Sequence, residues 1–503
     1  MKLGTRHHLI AGLTGSGWTA LMSVAFIPIY ITQLGPEQYG LIGVYIALTG
    51  SFAILDLGLS QSLSKLLAGH SGGTIELRST GNAVKTLEVI YLLSAVLIFS
   101  IIYSTADAIA QYWLIPKALS SSDVSDAIVL IGAAIATRWP ISLYSGGLQG
   151  LHLHVRLNTI LMIATTFQSI GAAIILVFVS PTINAFMLWQ IAIGLLHATT
   201  LRYILYRAII SDRPPTFDIE TLRPIWRFAA GITSISLLST LITQLDKFVL
   251  SKVLPLDDFG HYAFASAIAS ILFRIASPLF NIYFPKFSQL ASAGSSKLSR
   301  DYHTAAQLMT CCILPLGLTL AAFSEPIVAL WSSDADLANS THLLIATLLL
   351  GNILNCFLYI PYAAQLANNI TRIAIYQNTI ALCFLLPALY FSTTRFGALG
   401  AAFCWVILNV ASALITIPYM HRHLLKWEMR PWYLTDIGLP ICINLLIFGF
   451  AFTVHRELSH TLWSYALIVS TLLISIASTI LALPIIRARI LQLIKARGIL
   501  YEK

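Results

Sequence analysis

Residues 29–68 read IYITQLGPEQYGLIGVYIALTGSFAILDLGLSQSLSKLLA, two long apolar runs flanking the polar segment LGPEQYG at 34–40. A helical residue rises about 1.5 Å and the hydrocarbon core of a bilayer is about 30 Å thick, so roughly 20 apolar residues cross it. The stretch predicts two membrane-spanning helices joined by a tight polar turn.

The pattern continues along the chain. Apolar runs predict spans at 10–33, 40–64, 86–106, 127–149, 158–180, 185–206, 228–251, 259–283, 304–323, 342–363, 373–392, 397–418, 437–455 and 462–484. With 57% hydrophobic and 10% charged residues and a mean hydropathy of +0.80 over 503 residues, there is too little polar surface to cover a soluble globule. The expected fold is an all-α polytopic membrane protein of about fourteen transmembrane helices. The first run is longer than a signal-peptide core and lacks a small-x-small cleavage site, so no cleaved signal is expected. Cys311, Cys312, Cys356, Cys383, Cys404 and Cys442 all fall inside spans, without zinc-ligand spacing, and are expected to be core thiols.

An even number of spans puts both termini on one side. Segments on that side carry nearly all the Lys and Arg outside the spans, from Lys2 and Arg6 to the tail Arg487–Lys503, whereas the opposite side keeps only Lys117, Lys252, Arg395 and Arg456. The positive-inside rule places the termini in the cytoplasm. The formal net charge of +9 reports topology, and no nucleic-acid partner is expected. The basic tail IIRARILQLIKARGIL (485–500) reads either as an interfacial helix on an anionic leaflet or as a stop-transfer flank.

The opening turn recurs. Residues 34–45 (LGPEQYGLIGVY) align with 254–265 (LPLDDFGHYAFA) at an offset of 220, matching Glu37, Tyr39 and Gly40 to Asp257, Phe259 and Gly260. IAQYW at 109–113 answers IVALW at 327–331, and Gln149 with Arg156 answers Gln365 with Arg372. A period holding six spans relates two halves by an axis along the membrane normal. The expected organisation is an N-lobe of six spans (1–210), a C-lobe of six (211–420) and two added spans with a basic tail (421–503). Substrate is expected between the lobes.

Polar residues at three-and-four spacing mark helix faces. Span seven carries Thr233, Ser236, Thr240, Thr243 and Lys247; span eight carries Ser266, Ser270, Arg274, Ser277 and Asn281, ahead of a kink expected at Pro278. Span two carries Tyr45, Thr49, Asp56 and Ser60. A Ser/Thr stripe alone reads as helix-packing contacts. Ionised members change the reading, because each Arg or Lys at mid-bilayer costs about 2.5 to 3.5 kcal/mol unless it meets water or counter-charge. Arg138, Lys247 and Arg274 are therefore expected to line a hydrated, cationic cavity suited to phosphate or pyrophosphate. The alternative is local pairing, of Asp56 with Arg274 and of Asp246 with Lys247. Asp56 and Asp246 could instead bind a proton or sodium ion and couple transport to its gradient. No other cofactor and no metal is expected.

The stretch IYITQLGPEQYGLIGVYIALTGSFAILDLGLSQSLSKLLA resembles the start of the Wzx-type polysaccharide flippases of the multidrug/oligosaccharidyl-lipid/polysaccharide (MOP) exporter superfamily. GLQGLHLHVRLN after span four and FGALGAAFCW at span twelve share the pattern. The resemblance implies two six-helix lobes in a V around a cationic cavity that alternates between inward-open and outward-open states. It implies an undecaprenyl-pyrophosphate-linked oligosaccharide repeat unit as cargo, a bacterial inner-membrane location and a monomer. A polysaccharide polymerase and a chain-length regulator are the implied partners. It gives Asp56, Lys247 and Arg274 cavity positions; Arg138 rests on the physical argument alone. Many such proteins have twelve spans, whereas this chain has the fourteen of the lipid II flippases. A lipid II or multidrug exporter of the same superfamily shares the expected fold, although organic cations favour an acidic cavity. A membrane polymerase or glycosyltransferase would need larger outer loops, and no Walker A, GxSxG or HExxH motif is present.

Overall fold

The computed structural model describes residues 15, 17–71, 77–209, 215–218, 240–292, 297–368, 370–457 and 462–501. Among them there is no strand. The helices in order are α1 (Ile27–Phe52), α2 (Leu59–Ser71), α3 (Leu77–Ala108), α4 (Ser121–Arg138), α5 (Pro140–Gly150), α6 (His154–Phe178) and α7 (Ile183–Ala208). Next come α8 (240–253), α9 (Leu256–Ala269), α10 (Ile271–Ser292), α11 (Lys297–Ala322), α12 (Ser324–Ser332) and α13 (Ala335–Ala367). The chain continues through α14 (Thr371–Ala411), α15 (Ile417–His423), a π-turn (Trp432–Gly438), α16 (Leu439–Glu457), α17 (Leu462–Ala482) and α18 (Pro484–Tyr501).

Eleven of the described segments are long and apolar enough to cross a membrane. One of them, Ile375–His423, covers two expected spans, with Gly397 at φ 62° breaking the helix between them. Expected spans 10–33 and 228–251 lie partly outside the described residues. The eleven segments thus account for twelve of the fourteen expected spans, and the protein is a multi-pass membrane protein. Large apolar side chains face outward along whole helices, as at Leu92, Leu93, Val96 and Leu97 of α3 and Leu445, Leu446 and Phe450 of α16. Only lipid makes such a surface favourable.

Local chemistry sets the breaks. Gly35, at φ 75°, separates the two spans merged in α1, inside the polar turn expected between them. Ser120, Thr182 and Asp334 cap α4, α7 and α13 by accepting hydrogen bonds from the backbone N–H of Asp123, Ala185 and Leu337. Span eight is interrupted at Ser270, between α9 and α10, while Pro278 and Pro285 lie inside α10. The interruption thus falls two turns before the expected proline.

The chain forms two compact units, Met1–Phe264 and Ala265–Lys503; the expected lobe boundary at 210–211 lies outside the described residues. In the first unit α3 packs on α4, α2 on α5, and α4 on α7. In the second, α11 and α10 pack on α13, and α13 on α14. The terminal helices are attached to the same unit, since α16, α17, α18 and the π-turn all pack on α11. Of the six cysteines only Cys356 is buried; Cys383 and Cys442 are exposed. The core-thiol expectation fails for those two because they sit on outward faces of their helices, where a small apolar thiol is tolerated by lipid.

Candidate functional site

The second span does not run straight through. After Phe52 the chain tightens into a 3₁₀ turn, Ala53–Asp56, then passes through Leu57 (φ 49°) and Gly58 (φ 73°) before α2 begins. A left-handed Leu costs about 1 kcal/mol or more, so surrounding packing must hold it. The break presents the Asp56 carboxylate to three hydroxyls: Ser60 donates to Oδ2 (2.8 Å), Ser142 to Oδ1 (3.3 Å), and Tyr91 also to Oδ1. No cation pairs with it among the described residues. Three hydroxyl donors offset the cost of holding a carboxylate inside an apolar span.

Arg138 is the last residue of α4. Its Nη1 donates to the Tyr45 hydroxyl (3.3 Å), and its Cγ lies against Gly194, where a Cβ would come within 2.9 Å. Among the described residues no carboxylate pairs with it. Nearby on α7, buried His197 has an Nε2 without a hydrogen-bond partner. A guanidinium without counter-charge beside an unsatisfied imidazole is costly in apolar surroundings, and an anionic or hydroxylated ligand would relieve both. His197 escaped the sequence reading because a lone His in a span gives no periodic signal.

Lys247 on α8 has a close acid. Its Nζ lies 3.5 Å from Asp246 Oδ1, and Asp246 Oδ2 accepts from the Tyr262 hydroxyl at 2.6 Å. The local-pair alternative is therefore realised in long, weak geometry. Thr243 spends its hydroxyl on the Thr240 carbonyl and Ser270 on the Ala267 carbonyl, both within their own chain turns. These two belong to the backbone-satisfying kind of Ser/Thr.

The second unit supplies a different arrangement. Arg274, Ser277 and Asn281 follow one another at three- and four-residue steps along α10, and all three side chains are exposed. Among the described residues none of the three has a hydrogen-bonding partner. A row of free donors on the first three turns of α10 can hold an anion and adjacent hydroxyl groups.

The repeated turn has a packing role. A Cβ on Gly40 would lie 2.5 Å from the Leu256 carbonyl oxygen, and one on Gly260 would lie 1.9 Å from that of Pro36. Since Leu256 and Pro36 are themselves matched positions, the two copies cross each other reciprocally. Their acids grip one loop: Glu37 accepts from the backbone N–H of Lys117 (2.6 Å) and Ala118 (3.0 Å), and Asp257 pairs with Lys117 Nζ (2.9 Å).

Comparison with known proteins follows the same lines. The sequence is 25% identical over 406 residues to a candidate O-antigen transporter of Shigella flexneri, covering 80% of this chain and 94% of that protein. It is 25% identical over 198 residues to the succinoglycan biosynthesis transport protein ExoT of Rhizobium meliloti (strain 1021), 39% of each chain. The fold resembles the lipid II flippase MurJ in an inward closed conformation, with a TM-score of 0.65 at 14% identity over 94% of this chain and 98% of that one. It also resembles an inward-facing multidrug resistance MATE family transporter of the MOP superfamily, with a TM-score of 0.67 at 14% identity over 80% and 94% of the two chains. At such identities the likeness establishes the fold alone. The family match is direct and covers residues 8–291, more than half of the sequence: the chain belongs to the polysaccharide biosynthesis protein family.

Proposed function

We propose that this protein is a polysaccharide-pathway transporter that flips an undecaprenyl-pyrophosphate-linked oligosaccharide repeat unit from the cytoplasmic to the periplasmic leaflet of a bacterial inner membrane. Family membership and the near full-length relative described as an O-antigen transporter support the polysaccharide cargo. The observation that carries the reading is the exposed Arg274, Ser277 and Asn281 row on α10, since free donors inside a membrane span need a polar cargo or water. Arg138 beside Tyr45, and Lys247, add cationic character in the first unit. The pyrophosphate would engage a guanidinium, and the sugar hydroxyls the Ser and Asn side chains. Transport proceeds by alternating access, with Asp56 binding the coupling proton or sodium ion. The protein works as a monomer, termini in the cytoplasm, alongside a polysaccharide polymerase and a chain-length regulator.

Deletion of the gene should leave lipid-linked repeat units accumulating on the cytoplasmic leaflet, measurable by lipid extraction; no accumulation would point to a drug exporter. Arg274→Ala and Arg138→Ala should each lower surface polysaccharide about tenfold or more, as expected when about 1.5–3 kcal/mol of charged hydrogen bonding is lost. Membrane abundance of both variants should stay at the wild-type level, and normal glycan on both would sink the assignment. Asp56→Asn should remove the pH or sodium dependence of flipping in proteoliposomes, and dependence that persists would leave Asp56 a structural acceptor.

A further inference from the structure

The last two turns of α7 carry a feature that cargo transport does not use. Outward-facing positions along α7 are first apolar, with Leu188, Leu195 and Leu196 all exposed. At the C-terminal end the same face continues as Thr199, Arg202, Tyr203, Tyr206 and Arg207, which line a groove of about 560 Å³. Spacings of three and four residues keep all five on one side of the helix.

The groove is held in shape from behind. Buried Glu88 of α3 accepts from Arg202 Nε (2.6 Å), the Tyr206 hydroxyl (2.8 Å), the Tyr144 hydroxyl (2.9 Å) and Lys85 Nζ (3.0 Å). Arg202 also lies over the Tyr206 ring, 4.9 Å from its centroid, yet its side chain remains 50% exposed. Arg207 reaches the Tyr203 hydroxyl at 3.5 Å. Among the described residues Lys85 and Arg202 pair with Glu88, and Arg207 adds a further positive charge on the same face. The negative end of the α7 dipole works against a bound anion, but it amounts to about half a charge, and two guanidiniums outweigh it.

We propose that this groove binds the phosphodiester headgroup of an anionic phospholipid, with its acyl chains along Leu195 and Leu196. Three features select that occupant. Two guanidiniums fixed on one face match phosphate oxygens. An exposed Tyr at a helix end sits at headgroup depth. The apolar stripe leading into the groove fits hydrocarbon, whereas an acidic peptide would leave it uncovered. Each basic side chain near anionic lipid contributes about 1 kcal/mol, equivalent to about fivefold in affinity.

The test is native mass spectrometry of the full chain titrated with phosphatidylglycerol or phosphatidylcholine. Phosphatidylglycerol should be retained preferentially, and Arg207→Gln should weaken its retention about fivefold. Arg207 makes no contact with Glu88, so this variant leaves the buried cluster intact. Arg422→Gln, which removes an exposed basic residue at another helix end, should change nothing. Equal retention of the two lipids, wild-type binding by Arg207→Gln, or an equal loss in Arg422→Gln would each overturn the proposal. So would displacement of phosphatidylglycerol by equimolar undecaprenyl phosphate in wild type but not in Arg207→Gln, because the groove would then belong to the cargo lipid.

Discussion

Asp436→Ala is expected to destabilise the protein by about 3–5 kcal/mol, the usual cost of removing one partner from a buried ion pair. Asp436 is 1% exposed and sits in the π-turn Trp432–Gly438. Its Oδ2 bonds His303 Nδ1 of α11, and its Oδ1 accepts from Gln307 Nε2 at 2.8 Å. His303 Nε2 lies 3.0 Å from Glu428 Oε2, and Gln307 Oε1 accepts the backbone N–H of Ile485 at 2.9 Å. The His303 ring thus has a carboxylate at each of its nitrogens. Alanine at 436 would leave the His303 ring with Glu428 alone, and the Gln307 amide without its acceptor. Outside the membrane spans, Glu428 feels burial, which raises its pKa, but hydrogen bonds from Ser299 and His303 outweigh it and hold the carboxyl below its usual range.

The network joins α11 to the π-turn and to the start of α18, so its loss should also loosen the terminal helices. Thermal unfolding in detergent measures the effect, with Asp436→Asn expected to fall between wild type and Asp436→Ala. An unchanged unfolding midpoint in Asp436→Ala would show that the cluster contributes no net stability.

Gly260→Ala should be the most damaging single-methyl change in the first unit. The added Cβ would stand 1.9 Å from the Pro36 carbonyl oxygen and 2.7 Å from its carbon. Both are backbone atoms and cannot rotate away, so the α1 and α9 segments must separate at their crossing. Overpacking of this kind costs about 1–3 kcal/mol. Gly449→Ala is the matched control: nothing lies within 4 Å of its new Cβ, and a helical Ala is favoured over Gly by about 1 kcal/mol. The expected order of unfolding temperature is Gly449→Ala at or above wild type, with Gly260→Ala well below. Equal midpoints for Gly260→Ala and wild type would mean that the crossing yields without cost.

Individual residues show how far the sequence could be read. Gly35 breaks α1 inside the polar turn expected between the first two spans, and Gly397 breaks α14 where the expected span 397–418 begins. Asp56 and Arg274 stood out because a charge in an apolar span is conspicuous whatever surrounds it. Thr243 and Ser270 looked equally suited to a cavity, yet both turn to carbonyls three residues back, an outcome that spacing cannot distinguish from an inward-facing donor. Pro278, where a kink was expected, lies inside α10, and a separate interruption that spacing did not signal falls at Ser270. His303 with Asp436, and Glu88 with Arg202, are more than a hundred residues apart and left no signal.

Run length, hydropathy and the recurring LG-x-E-x-YG turn by themselves determined a helical membrane protein, its spans and the residues whose charge needs an explanation. These are local properties, because a bilayer judges each segment of about 20 residues separately. Only the tertiary structure decided which charges are neutralised. It gave Lys247 a nearby acid, surrounded Asp56 with hydroxyls, left Arg138 beside an unsatisfied His197, and drew Glu88 and Asp436 into buried clusters. Such partnerships depend on helix rotation and on contacts between distant segments, which periodicity along one helix does not encode.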